Sequence, residues 1–154
     1  MTETRETLPD LAAMAAYGAR IAAALRAGDV VALEGGLGAG KTTLARAILA
    51  ALGHAGEVPS PTFTIIETYD APSLRLPVVH ADFYRLEDPS ELAEIGLDDY
   101  REGAVLIAEW PQNAGGFVHE PGCLAIMLHL QGESGEGGRI AIARGGADWV
   151  GRMP

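Results

Sequence analysis

The densest chemical signal in the chain is the run Gly35-Gly36-Leu37-Gly38-Ala39-Gly40-Lys41-Thr42-Thr43. It fits G-x-x-x-x-G-K-[ST], a loop whose backbone N–H groups cradle phosphate oxygens. Lys41 is the sole lysine in 154 residues, beside ten arginines. A compact ammonium on a flexible stem fits inside such a ring of amides, and a planar guanidinium does not replace it. Gly36, Leu37, Gly38, Ala39, Gly40, Lys41, Thr42 and Thr43 are therefore the candidate nucleotide-binding residues. Lys41 would reach the β- and γ-phosphates, the Thr42 hydroxyl would hold Mg²⁺, and Thr43 would touch the α-phosphate.

Hydrolysis of a bound triphosphate also needs a carboxylate near the metal and a group that places water. Ligands of open α/β sheets lie at the carboxyl ends of strands. Two acids sit where predicted strands end. Glu109 closes the apolar run from Ala104 to Ala108, and Asp82 closes the run from Val78 to Ala81. Lys41, Asp82 and Glu109 are the candidate catalytic residues, and Thr42 and Glu109 the candidate metal ligands. The residue types leave open which acid serves Mg²⁺ and which orients or deprotonates water. Thr62, between the helix after the loop and the next strand, occupies a switch position able to sense the γ-phosphate. Trp110 follows Glu109 and would lie against the nucleotide or a partner surface. His80 reads as a strand residue with its hydrogen bond satisfied.

These residues need a scaffold, and hydrophobic patterning predicts one. Residues 29–34 form a short apolar run that reads as a buried strand, and residues 43–52 show helical spacing stopped by Gly53. Upstream, residues 10–26 predict a helix with Leu11, Met14, Tyr17, Ile21 and Leu25 on one face, preceded by a polar lead-in over residues 1–8. The second half of 60–69 and residues 76–82 predict a hairpin. Residues 89–95 form a short helix, and 98–102 continue as a further turn. A strand spans 104–109, a loop or broken helix 112–121, and a second hairpin 124–130 and 139–144. The tail is at most a helical turn. The expected fold is α/β: a P-loop NTPase-like three-layer sandwich in one domain over 1–154. Its central sheet is mixed and mostly parallel, with antiparallel hairpins.

Composition narrows the function. Twenty-one acids against 11 bases give a net charge of −10, which argues against a protein that binds nucleic acid by itself, since phosphate contacts need clustered cations. The single cysteine, Cys123, leaves no internal disulfide. No apolar run approaches membrane-spanning length, so the chain is expected to be soluble and cytoplasmic.

Four motifs in order, Gly35–Thr43, Ser60-Pro61-Thr62-Phe63, His80-Ala81-Asp82-Phe83-Tyr84-Arg85-Leu86 and Glu109-Trp110-Pro111, resemble the TsaE (YjeE) family. The resemblance runs from about Thr7 to Pro111. It implies a small bacterial P-loop ATPase needed for threonylcarbamoyl modification of adenosine 37 in tRNA. Such a protein uses ATP and Mg²⁺, hydrolyses poorly alone, and acts on partners TsaB and TsaD. By position the resemblance assigns function to Lys41, Thr42, Thr43, Asp82, Glu109 and Trp110. Gly36 departs from the acidic residue often found there, and Ala81 replaces a bulkier one. A small-molecule P-loop kinase is the alternative, although no arginine-rich lid segment follows the loop. A nucleotide-binding regulatory module is a third reading. No N-K-x-D sequence supports guanine recognition.

Overall fold

The structure, a computed structural model, describes residues 2–61, 65–70, 72–132 and 136–154. Its strands are β1 (Thr2–Leu8), β2 (Val30–Glu34), β3 (Ile66–Tyr69), β4 (Val78–Asp82), β5 (Val105–Glu109), β6 (Cys123–Leu130) and β7 (Arg139–Gly145). They form one seven-stranded sheet in the order β1-β7-β6-β2-β5-β4-β3. The central four strands, β6, β2, β5 and β4, run parallel. Antiparallel pairings flank them: β3 with β4 on one side, and β7 with β6 and then β1 with β7 on the other. The mixed sheet and both predicted hairpins are present.

Strands β2 and β5 are near-continuous apolar runs because both faces of the parallel centre are covered. Alternation divides their side chains between two cores. Val31, Leu33 and Ile107 pack with Tyr17, Ile21, Leu44 and Ile48 of helices α1 (Leu11–Ala24) and α2 (Lys41–Leu52). Val30, Ala32, Leu106 and Ala108 pack with Phe83, Leu97 and Phe117 on the opposite face. There the short helices α3 (Glu91–Ile95) and α4 (Leu97–Arg101) supply the cover. These are the three layers.

The Asp10 carboxylate caps α1 by accepting from the Ala13 N–H at 2.8 Å. Met14, Tyr17 and Ile21 are buried as the spacing predicts, but Leu11 is 75% exposed. It overhangs a cleft beside Gly40 and Thr43 instead of the core. The two long helices lie close together. A Cβ on Gly18 would stand 2.6 Å from the Ala47 Cβ, so only glycine permits this approach.

Residues 2–8 correct the polar lead-in expected from the sequence: they form the edge strand β1. Hydrophobic patterning is silent there because no apolar residue precedes Leu8 in the strand. The strand is held instead by its ladder to β7, with threonines suited to a pleated edge. Arg144 Nε donates to its cross-strand neighbour Glu3 at 2.7 Å, and Arg20 pairs with Glu6. Charge on an exposed edge also discourages pairing with other chains.

Helix α2 begins at Lys41, two residues before the predicted start, because Gly40 in the left-handed region turns the loop straight into the helix. The further turn expected at 98–102 is the helix α4. The broken segment after residue 111 opens with a 3₁₀ turn at Pro111–Ala114.

The C-terminal segment is tied down. Trp149 is fully buried and donates Nε1–H to the Gly122 carbonyl at 2.8 Å. Arg152 donates to both oxygens of buried Asp29, at 2.9 and 3.2 Å. Removing one partner strands the other charge. Asp29→Ala is expected to lower unfolding free energy by about 3–5 kcal/mol, read by urea titration, and a loss below about 1 kcal/mol would show the pair to be solvated.

Candidate active site

The parallel strands deliver their carboxyl ends to one edge of the sheet. Leu33 of β2 is registered with Glu109 of β5, and Glu109 with Asp82 of β4. The glycine loop therefore leaves β2 directly beside both acids. Gly35 has φ +143°, and a Cβ there would lie 2.7 Å from the Leu128 carbonyl oxygen of β6. Glycine is required to seat the loop against the sheet. A second anchor comes from β7. Arg139 donates Nε–H to the Ala39 carbonyl at 2.8 Å and an Nη2–H to the Gly38 carbonyl at 3.3 Å.

The first turn of α2 opens onto this edge. Gly40 caps it without a side-chain hydrogen bond. An α-helix leaves its first N–H groups without intrahelical partners, and the dipole makes that end favourable for an anion. Lys41, Thr42 and Thr43 of that turn line a cleft of about 340 Å³.

At the cleft Thr42, Glu109 and His80 form a hydrogen-bonded chain, and Lys41 and Asp82 bond to backbone groups beside it. Lys41 is 6% exposed. Its Nζ donates to the carbonyls of Gly35 at 2.8 Å and Gly36 at 2.7 Å, and lies 4.5 Å from the centre of the Trp110 ring. Burial holds the ammonium pKa below its ordinary value, and the Glu109 and Asp82 carboxylates oppose that shift. The Thr42 hydroxyl donates to Glu109 Oε1 at 2.7 Å. Glu109 is buried, and its Oε2 accepts from His80 Nε2 at 2.6 Å. Asp82 accepts from the Tyr84 N–H at 2.9 Å.

Trp110 closes one side of the cleft. It adopts φ 55° and ψ 50°, a left-handed conformation that costs a bulky residue about 1–3 kcal/mol. The conformation brings the indole against Tyr84, with ring centres 4.9 Å apart, and over the Lys41 ammonium. Strain of this kind collects at functional sites.

Most sequence-predicted residues come together here: Leu37, Gly38, Gly40, Lys41, Thr42 and Thr43 from the loop and helix, with Asp82, Glu109 and Trp110 opposite. Gly36 and Ala39 take part through their carbonyls, which accept from Lys41 and Arg139. Thr62 lies outside the described residues. His80 is a strand residue as expected, but its ring is only half satisfied: Nε2 pairs with Glu109, and Nδ1 has no partner among the described residues. Ser60 and Tyr84 fall within the sequence motifs without a role assigned in the lining, and sequence reasoning missed Arg139. It also missed a second cleft of about 260 Å³ that shares Gly40, Thr43 and Arg139 with the first and is walled by Leu8, Leu11 and Met14. No local signal marks Arg139, which is 100 residues from Ala39.

A parallel-centred sheet whose glycine loop joins a strand to a helix, with Lys41 and Thr42 at the helix start, defines a P-loop protein. Residues 8–140 match the family model described as threonylcarbamoyl adenosine biosynthesis protein TsaE. The chain is 36% identical over 126 residues to the tRNA threonylcarbamoyladenosine biosynthesis protein TsaE of Haemophilus influenzae, covering 78% of each chain. It is 49% identical over 90 residues to the Bacillus subtilis protein of that name, covering 58% of this chain and 54% of the other. The crystal structure of Bacillus subtilis YdiB matches with TM-score 0.76 at 28% identity, over 98% of this chain and 91% of that one. The chain belongs to the TsaE family, whose curated relatives are named for threonylcarbamoyladenosine biosynthesis in tRNA. No helix among the described residues is long and apolar enough to cross a membrane.

Proposed function

We propose that this single-domain protein is a cytoplasmic Mg²⁺-dependent ATPase required for N6-threonylcarbamoylation of adenosine 37 in tRNA. In this reading it acts on a TsaB–TsaD complex and leaves the tRNA itself to those partners. The observation that carries the enzymatic part is the 2.7 Å contact between the Thr42 hydroxyl and the Glu109 carboxylate at the uncapped start of α2, beside Lys41. Family membership and the net charge of −10 support the choice of a protein partner over nucleic acid.

The donor set fits the metal. Mg²⁺ takes one or two protein oxygens and keeps waters and phosphate oxygens for the rest, so Thr42 and Glu109 suffice. When bound it supplies neutralisation of the charge shared by the β- and γ-phosphates. The chain's own groups do the rest. Lys41 carries the cation for the same oxygens, and the first N–H groups of α2 hold the anion. Asp82, registered with Glu109 and buried at the cleft, orients the attacking water and receives its proton. Trp110 covers the cleft and limits water entry. Thr62 serves as the switch residue that reports the γ-phosphate.

The second cleft takes the nucleoside. Thr43, the residue assigned to the α-phosphate, belongs to both clefts, and the second has apolar walls suited to a base. Leu11→Asn is expected to weaken ATP binding about tenfold through lost apolar contact, leaving inorganic tripolyphosphate binding unchanged. Isothermal titration with both ligands checks this, and equal losses for the two would move the nucleoside elsewhere.

Phosphate release, measured with ATP alone and again with TsaB and TsaD, tests the main proposal. Slow release that rises sharply with the partners is expected. Rapid phosphorylation of a metabolite without them would instead identify a small-molecule kinase.

A further inference from the structure

We infer that His80 is a positioning residue for the metal site: it holds the Glu109 carboxylate so that one oxygen faces Thr42. This rests on the reading of Thr42 and Glu109 as Mg²⁺ ligands, and deepens it.

His80 lies at the middle of β4, two residues before Asp82. Alternation puts His80 and Asp82 on the same face of the sheet as Ile107 and Glu109 of β5, toward α2. The imidazole is wholly buried. A polar ring in such a place is costly unless it is hydrogen-bonded. Among the described residues its hydrogen bonding is confined to one partner. Nε2 lies 2.6 Å from Glu109 Oε2, and Nδ1 has no partner. An apolar residue would fill the position more cheaply if packing were all that was needed.

The geometry assigns each carboxylate oxygen one task. Oε2 accepts from His80 at the back of the site, and Oε1 accepts from the Thr42 hydroxyl at the front. Two bonds from opposite sides fix the rotation of the carboxylate about its terminal torsion, which is otherwise broad. Without His80 the carboxylate is free to turn away from Thr42, and the two candidate metal oxygens are no longer held together. Residues that orient a ligand in this way commonly change metal affinity without touching the metal.

The test compares His80→Gln with His80→Asn. The Gln amide reaches about as far as imidazole Nε2, whereas the Asn amide ends near the position of Nδ1. Both variants are polar and similar in bulk to each other, so a packing role predicts similar behaviour for the pair. The probe is mant-ATP fluorescence, titrated first in EDTA and then with Mg²⁺, with circular dichroism and thermal melts as a check on folding. His80→Asn is expected to need about 10- to 100-fold more Mg²⁺ for half-saturation, while its affinity for mant-ATP in EDTA stays at the wild-type value. His80→Gln is expected to keep a wild-type Mg²⁺ response. An unchanged Mg²⁺ requirement in His80→Asn, or equal losses in the two variants, would overturn the inference alone. A wild-type protein that binds mant-ATP with no response to Mg²⁺ would overturn the metal-site reading and the inference with it.

Discussion

Lys41→Ala protein is expected to fold and to lose ATP and ADP binding by at least about 10²-fold, because the ammonium is assigned to the phosphate oxygens and each charge-assisted hydrogen bond it would make there contributes about 1.5–3 kcal/mol. The contacts it makes to the Gly35 and Gly36 carbonyls show the reach of the ammonium within the loop. Its stability should change little. Burial penalises the Lys41 ammonium, and among the described residues no carboxylate pairs with it directly, so removing the charge offsets the loss of its two carbonyl contacts. Lys41→Met therefore serves as the folding control, with a thermal midpoint near that of the wild type. Lys41→Arg should not restore binding, because the fork of a guanidinium does not fit where one ammonium meets two carbonyls under an indole. Titration calorimetry with ADP decides the matter, and wild-type affinity in Lys41→Arg would remove the ammonium from its assigned place.

Glu109→Gln carries the second large effect. The amide matches the carboxylate in shape and can still accept from Thr42, so nucleotide binding in EDTA should survive. It lacks the charge that the metal requires, and the loss of metal-assisted stabilisation is worth several kcal/mol, at least about 10²-fold in rate. Asp82→Asn should also slow hydrolysis yet leave the Mg²⁺ requirement near wild type, because Asp82 is assigned to water. Phosphate release across a Mg²⁺ titration separates the two acids. If Asp82→Asn shifts the Mg²⁺ midpoint and Glu109→Gln does not, their roles must be exchanged.

The loop was legible because its chemistry is contiguous. Nine adjacent residues hold the glycines, the ammonium and the hydroxyl, and the apolar runs of β2 and β5 announce the strands that flank them. Asp82 and Glu109 were legible for a related reason: each ends an apolar run, and sheet topology brings such ends together. What was not legible depended on distant pairing. Strand β1 has almost no hydrophobic pattern and is specified by the ladder to β7, far along the chain. Arg139 reaches the loop only because β7 runs beside β6. Leu11 followed the helical period faithfully yet sits past the end of the core, over the second cleft. His80 and Glu109 are 29 residues apart, so the pairing of two parallel strands, not local sequence, reveals what His80 holds.

A crystal structure with Mg²⁺ and a non-hydrolysable ATP analogue tests the central claim most directly. The account predicts Lys41 Nζ on phosphate oxygens instead of the Gly35 and Gly36 carbonyls. It also predicts the Thr42 hydroxyl and the Glu109 carboxylate at the metal, and the base beside Leu11 and Met14. Phosphates bound away from the start of α2, with Lys41 still on its loop carbonyls, would contradict it.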